Sequence, residues 1–145
     1  MTAEKFIPSL LEDLGAWKVF ASGQAEGLVS RGADGGLILD YDFHEGGGFV
    51  ALRRELEFAM PESYELGFDL RGSGAKNDFE FKLADPAGVN VWRHRREQLD
   101  LGREPLAFRV CERDLPFAWG PAGGGTLSAV GAVEFVVTAA EGGRG

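Results

Sequence analysis

A chain of 145 residues suits one domain and can bury roughly 70% of the surface that its unfolded form exposes. Its net charge of −8 and pI near 4.8 argue against nucleic-acid binding, which needs a basic surface for phosphates. The single cysteine, Cys111, excludes an intrachain disulfide, and no segment approaches the length of an apolar membrane span, so no membrane partner is expected either.

In chain order, the opening MTAEKFIPSLLEDL has no signal-peptide pattern. A secreted or periplasmic location is therefore expected only as part of a larger exported protein. Residues 4–14 read as a short amphipathic helical turn, with Phe6, Ile7, Leu10, Leu11 and Leu14 on its apolar side and Gly15 as its stop. From there the pattern is of strands, at 17–21, 26–30, 36–43, 48–58, 64–71, 78–84, 89–94, 106–112 and 130–138. Turn chemistry separates them: Ala33-Asp34-Gly35-Gly36, Gly46-Gly47-Gly48, Met60-Pro61, Gly72-Ser73-Gly74 and Asp85-Pro86-Ala87-Gly88. Many short strands with almost no helix indicate a single all-β domain over 1–145, a two-sheet antiparallel β-sandwich or a barrel. The final Glu141-Gly142-Gly143-Arg144-Gly145 resembles the approach to another strand, so the expectation is either a domain boundary there or a closing C-terminal strand beyond it.

The alternation is cleanest between Tyr64 and Trp92. One face reads Tyr64, Leu66, Phe68, Leu70, then Phe79, Phe81, Leu83, then Val89 and Val91. The other reads Glu65, Asp69, Arg71, then Glu80, Lys82, then Asn90, Trp92 and His94. Period two marks half-buried strands with one wet face. If the strands at 64–71, 78–84, 89–94 and 106–112 share one sheet, that face gathers Asp69, Arg71, Glu80, Lys82, Asn90, Trp92, Arg109 and Cys111. Carboxylates, amides and guanidinium groups satisfy sugar hydroxyls, and an aromatic ring covers the apolar face of a sugar. The same set also reads as a solvated ladder of cross-strand ion pairs.

Other constellations are weaker. The turn Phe117-Ala118-Trp119-Gly120-Pro121, followed by Ala122 and three glycines, makes Trp119 either an exposed stacking platform or a plug at the end of a sandwich. Glu80 with Asp69 or Glu134 is a conceivable carboxylate pair for glycoside hydrolysis, yet Lys82 and Arg71 would keep these acids ionised. The only histidines are His44 and His94, so neither a catalytic triad nor a zinc site is readable. Asp40, Asp42, Glu45, Glu12 and Asp13 offer oxygen ligands for calcium, without a dense Asp-x-Asp-x-Asp loop. Cys111, in the alternating run LAFRVCER, reads as a small sheet side chain and not as a nucleophile. The basic run from Arg93 to Arg96 reads as a solvated turn.

The order of several elements resembles a known module. It comprises Trp17, Leu37-Ile38-Leu39-Asp40-Tyr41-Asp42-Phe43, the 46–51 glycine run, Leu70-Arg71-Gly72, Phe79-Glu80-Phe81-Lys82-Leu83, Asn90-Val91-Trp92, Phe117-Ala118-Trp119-Gly120-Pro121 and Val133-Glu134-Phe135. Together these are similar to the module found N-terminal to discoidin-like (coagulation factor 5/8 type) domains in bacterial carbohydrate-active proteins. That module is a galactose-binding-like jelly roll of the kind shared by many carbohydrate-binding modules. The resemblance implies a concave sheet face that binds glycan, with Glu80, Lys82, Asn90, Trp92 and Trp119 on it or at its rim. It also implies a structural calcium at the sandwich edge, with no other cofactor required. Where the family pattern has a second aromatic after the tryptophan, this chain has Arg93-His94-Arg95.

The expectation is therefore a non-catalytic carbohydrate-binding module, with a polysaccharide or glycan and the further domains of a parent enzyme as partners. Trp92 would stack on a sugar, Glu80, Lys82, Asn90 and Arg109 would bind its hydroxyls, and Asp69 and Arg71 would orient those groups. The alternatives are a structural or protein-interaction domain and, third, a small glycoside-acting enzyme.

Overall fold

The computed structural model describes residues 7–145. Of the expected helical turn, the part at 4–6, including Phe6, lies outside the described residues. The remainder is a six-residue helix, α1 (Ile7–Glu12), followed by a 3-10 turn at Leu14–Ala16. Leu10 is buried, and its carbonyl accepts from Trp17 Nε1 at 3.1 Å, which seats the helix on the sandwich.

Ten strands follow: β1 (Trp17–Ala21), β2 (Glu26–Arg31), β3 (Leu37–Asp42), β4 (Phe49–Ala59), β5 (Glu65–Leu70), β6 (Asn77–Ala84), β7 (Val91–Leu99), β8 (Leu106–Cys111), β9 (Phe117–Trp119) and β10 (Ala129–Thr138). The protein is an all-β sandwich, as its alternation and turn spacing require. One layer is a six-stranded antiparallel sheet in the order β1-β4-β10-β6-β7-β9, and the other consists of two separate pairs, β2-β3 and β5-β8. Residues 143–145 run beside β3, where Tyr41 and Gly145 exchange backbone hydrogen bonds of 2.9 and 3.0 Å.

The layers meet through aromatic rings. Phe68 of β5 stacks on Phe108 of β8, with centroids 5.1 Å apart and planes 7° from parallel. It also packs against Phe81 and Phe135 of the large sheet at 5.1 and 5.3 Å. Such pairs each add about 0.5–1.5 kcal/mol beyond the area they bury. On the other pair, Gly27 of β2 lies so close to the large sheet that a β-carbon there would press into Val50 and Val19.

This topology corrects the assumption that the four central strands share one sheet. β6 and β7 belong to the large sheet, whereas β5 and β8 form the opposite layer. A second correction concerns β7. Asp85 closes the preceding turn by accepting from the backbone N–H groups of Val89 and Asn90 at 3.0 and 3.2 Å. Both residues therefore belong to the turn, and the ladder opens with Ala84 opposite Val91, then Leu83 opposite Trp92 and Lys82 opposite Arg93. Residues opposite one another share a face, so Trp92 joins the core while Arg93 and Arg95 join Glu80 and Lys82. A one-residue shift of register moves every side chain to the other face.

Candidate functional site

The outer face of the large sheet can be assembled row by row from the register. One row runs Lys18, Arg53, Glu134, Lys82, Arg93 across β1, β4, β10, β6 and β7. The next runs Phe20, Ala51, Val136, Glu80, Arg95. On the other side of the charged row lie Glu55, Ala132, Ala84, Val91 and, on β9, Trp119. Ala84, Val91 and Ala132 form a small buried cluster of their own, an apolar floor beside the tryptophan.

Trp119 is aimed by an irregularity. Between β7 and β9 the pairing slips, with Val91 opposite Trp119 but Trp92 opposite Phe117. Such a slip redirects side chains. Phe117 turns inward, edge-on to Trp92 at 5.3 Å, while Trp119 emerges on the outer face, 46% exposed. It is exposed on the sheet and does not plug the end of the sandwich. Gly120 follows at φ +136, and a β-carbon there would collide with Asn90 Oδ1 and the Val89 carbonyl, so only glycine lets the loop turn here. Asn90 pins both sides of this corner: its Nδ2 donates to Asp85 Oδ2 at 2.7 Å, and its Oδ1 accepts from Ala122 N–H at 2.8 Å.

Two cations lie over the Trp119 ring, Lys82 Nζ at 5.0 Å and Arg93 Cζ at 5.7 Å from its centroid. Both reach the same carboxylate. Glu80 accepts from Arg93 Nη1 at 2.9 Å and from Thr138 Oγ1 at 3.2 Å, and Lys82 Nζ stands 3.7 Å from it. Glu80 is only 7% exposed, so these contacts are what make a charge tolerable at the floor of the sheet. Arg53 and Glu134 pair at 3.5 Å, and Arg95 donates to Asp78 at 2.8 Å. The Gln98 backbone N–H and then the Arg95 guanidinium hold the Asp78 carboxyl below its ordinary value of 3.8.

The eight residues singled out from the sequence thus divide. Glu80, Lys82 and Trp119 come together, and Asn90 supports them from the adjoining turn. Trp92 cannot stack on a ligand in this arrangement: it is buried in the core, with Nε1 donating to the Gly125 carbonyl at 3.0 Å. Asp69, Arg71 and Arg109 sit on the opposite layer. There Arg71 pairs with Asp34 at 2.8 Å, and Arg109 lies 3.9 Å from Glu65, all four side chains more than half exposed. Asp69 is likewise too remote to pair with Glu80, and Glu134 stands opposite Lys82, not opposite Glu80. Arg53, Arg93 and Arg95 are the residues that sequence reasoning missed. The signal for Arg93 and Arg95 was present in the basic Arg93–Arg96 run, which lies in strand β7 and not in a solvated turn, so that its alternate members face outward.

Cys111 lies in β8, where its Sγ donates to Asp114 Oδ2 at 3.0 Å. Of the oxygen ligands considered for calcium, Asp42 is engaged by the His44 backbone N–H at 2.7 Å. Among the described residues, no cluster of three or more His, Cys, Asp or Glu side chains is placed to hold a metal ion. No described helix is long and apolar enough to cross a membrane.

No family model matches the chain, and no curated protein does. Solved structures do. The fold is similar to a family 11 carbohydrate-binding module from Clostridium thermocellum in complex with a β-1,3-1,4-mixed-linked tetrasaccharide, with a TM-score of 0.66 at 15% identity over 92% of this chain and 85% of that one. It is also similar to the family 11 module of the cellulosomal cellulase Lic26A-Cel5E of the same organism, with a TM-score of 0.62 at 13% identity over 92% and 84% of the two chains. A third likeness is to the enzymatically active domain of tailspike protein 4 of bacteriophage CBA120, with a TM-score of 0.54 at 12% identity, covering 18% of that chain. At these identities the likeness establishes the β-sandwich fold of carbohydrate-binding modules.

Proposed function

We propose that this protein is a non-catalytic carbohydrate-binding module that takes a polysaccharide or glycan on the outer face of its six-stranded sheet. The observation that carries this reading is Trp119, an exposed ring on that face with Lys82 and Arg93 over it and an apolar floor beside it. A sugar has an apolar C–H face and a polar rim, and this arrangement offers a partner for each. Lys82, Arg93 and Arg53 would bind hydroxyls. Glu80, steadied by Thr138, and Glu134 would hold those groups in place, and Asn90 would fix the corner that follows Trp119. The family 11 structures, one of them with an oligosaccharide bound, support the reading through a shared fold. As part of a larger carbohydrate-active enzyme, the module would keep the catalytic domain near its polymer.

Catalysis fits less well. Glu80 and Glu134 are engaged by cations, and the carboxylates with displaced pKa values (Asp34, Asp78, Asp85 and Asp114) all move downward, whereas a general acid needs one moved up. A second reading, protein contact, is favoured by one observation: Leu28 and Ile38 are both exposed on the outer side of the β2-β3 pair. Leu28→Ser with Ile38→Ser should leave glycan binding unchanged and abolish any association through that side.

A glycan array with wild type, Trp119→Ala and Lys82→Ala tests the main reading. Wild type is expected to bind, and Trp119→Ala to lose about tenfold or more in affinity. Failure of wild type to bind any plant, bacterial or host glycan would refute it.

A further inference from the structure

The balance of donors and acceptors on this face narrows the ligand. Its central acceptors are already occupied: Glu80 by Arg93, Thr138 and Lys82, Glu134 by Arg53, and Asp78 by Arg95 and the Gln98 backbone N–H. Its donors are not used up. A guanidinium carries five N–H groups and an ammonium three, and the ion pairs above engage only some of them. The charged row Lys18, Arg53, Glu134, Lys82, Arg93 holds four cations against one carboxylate, and Glu80 from the next row is shared by two of them. At the ring itself, Lys82 and Arg93 divide that single acid, so positive charge is left over beside an open aromatic surface.

This local excess stands out on a chain of net charge −8. The basic run continues it. Arg93, His94 and Arg95 line a hollow of about 280 Å³ with Pro116, Phe117 and Ala118 beside the Trp119 strand. The carboxylate there, Asp114, is engaged by the N–H and Sγ of Cys111 at 3.1 and 3.0 Å. The exposed carboxylate of Glu55 lies four strands away from Trp119, so neutral sugars, whose hydroxyls both give and accept hydrogen bonds, would find few free acceptors around the ring. A carboxylate or sulfate only accepts, and charge-assisted bonds to it are the stronger kind.

We propose that the ligand is an acidic glycan, bearing uronate carboxylates or sulfate esters, with a sugar ring on Trp119 and its anionic group on Lys82 and Arg93. This rests on the glycan-binding reading above and specifies its substrate class.

The test is calorimetric titration of the intact chain with three oligosaccharides of equal length: an oligogalacturonate, a sulfated galactan fragment and a neutral β-1,3-1,4-glucan. At least one acidic ligand should bind about tenfold tighter than the neutral one, and the gap should close as salt rises to about 0.3 M. The two acidic arms separate carboxylate from sulfate. Lys82→Gln should lower the acidic affinity about tenfold more than it lowers the neutral affinity, while Lys82→Arg should retain both. A melting curve on each variant confirms that the fold is kept.

Equal binding of acidic and neutral ligands, or a preference for the neutral one, would overturn this proposal and leave glycan binding standing. Acidic binding that survives Trp119→Ala would also overturn it, since plain ion exchange needs no ring. Absence of binding in all three arms would overturn this proposal, and the reading beneath it falls as well only if the glycan array is also empty.

Discussion

The outer sides of the two layers carry similar residue types and use them differently. On the β5-β8 pair, Arg109 and Glu65 stand 3.9 Å apart with both side chains 66% exposed. On the six-stranded sheet, Glu80 is nearly buried and held by three neighbours, and an aromatic ring lies against two of its cations. The first is a solvated pair, free to exchange its partner for water. The second is a set of charges fixed in place before any ligand arrives. Preorganisation of that kind lowers the entropy lost on binding, and a mobile surface pair contributes little to stability or recognition.

The largest effect is expected from the tryptophan buried in the core. Trp92→Ala should cost about 3–5 kcal/mol of stability, because it empties a core position and orphans the Gly125 carbonyl. Denaturant unfolding measures this. A loss of glycan affinity at full stability would mean instead that Trp92 faces the ligand. Next comes Glu80→Ala, which strands the Arg93 and Lys82 charges over Trp119 and should cost about 2–3 kcal/mol.

Acid should act through Asp78. A carboxyl held below its ordinary 3.8 stabilises the fold at higher pH and loses that contribution as pH falls through its folded value. Stability should therefore decline below about pH 4, and Asp78→Asn should lessen that decline, the rest of which falls to Asp34, Asp85 and Asp114. The smallest effect is expected on the other layer. Arg109→Ala should change stability by less than about 0.5 kcal/mol, and it should leave glycan affinity unchanged in the same titrations.

Much of the sandwich was legible because its determinants are local. The period-two runs in Phe79-Glu80-Phe81-Lys82-Leu83 and Leu37-Ile38-Leu39-Asp40 placed their strands to within a residue or so, and Gly and Pro pairs marked the turns. The site was only half legible, because its determinants are relational. Alternation says that Glu80 and Arg109 both point outward from their strands, but not that those strands lie in different layers. It likewise shows two phases across 89–96 without showing which one joins Lys82. That depends on Asp85 drawing Val89 and Asn90 into the turn, which sets Ala84 opposite Val91. The short β9 was hidden in a glycine-flanked loop, since three residues are too few for a periodicity to register.

Trp119 offers the most direct test of the central claim. Trp17 and Trp92 are buried, 3% and 6% exposed, so a collisional quencher such as acrylamide should reach chiefly the fluorescence of Trp119. The measurement is the quenching curve with and without a glycan at a concentration that titration shows to be saturating. The prediction is that bound glycan shields the quenchable component, and that Trp119→Phe removes this component in the free protein. Quenching that stays unchanged under saturating glycan would contradict the placement of the ligand on this face.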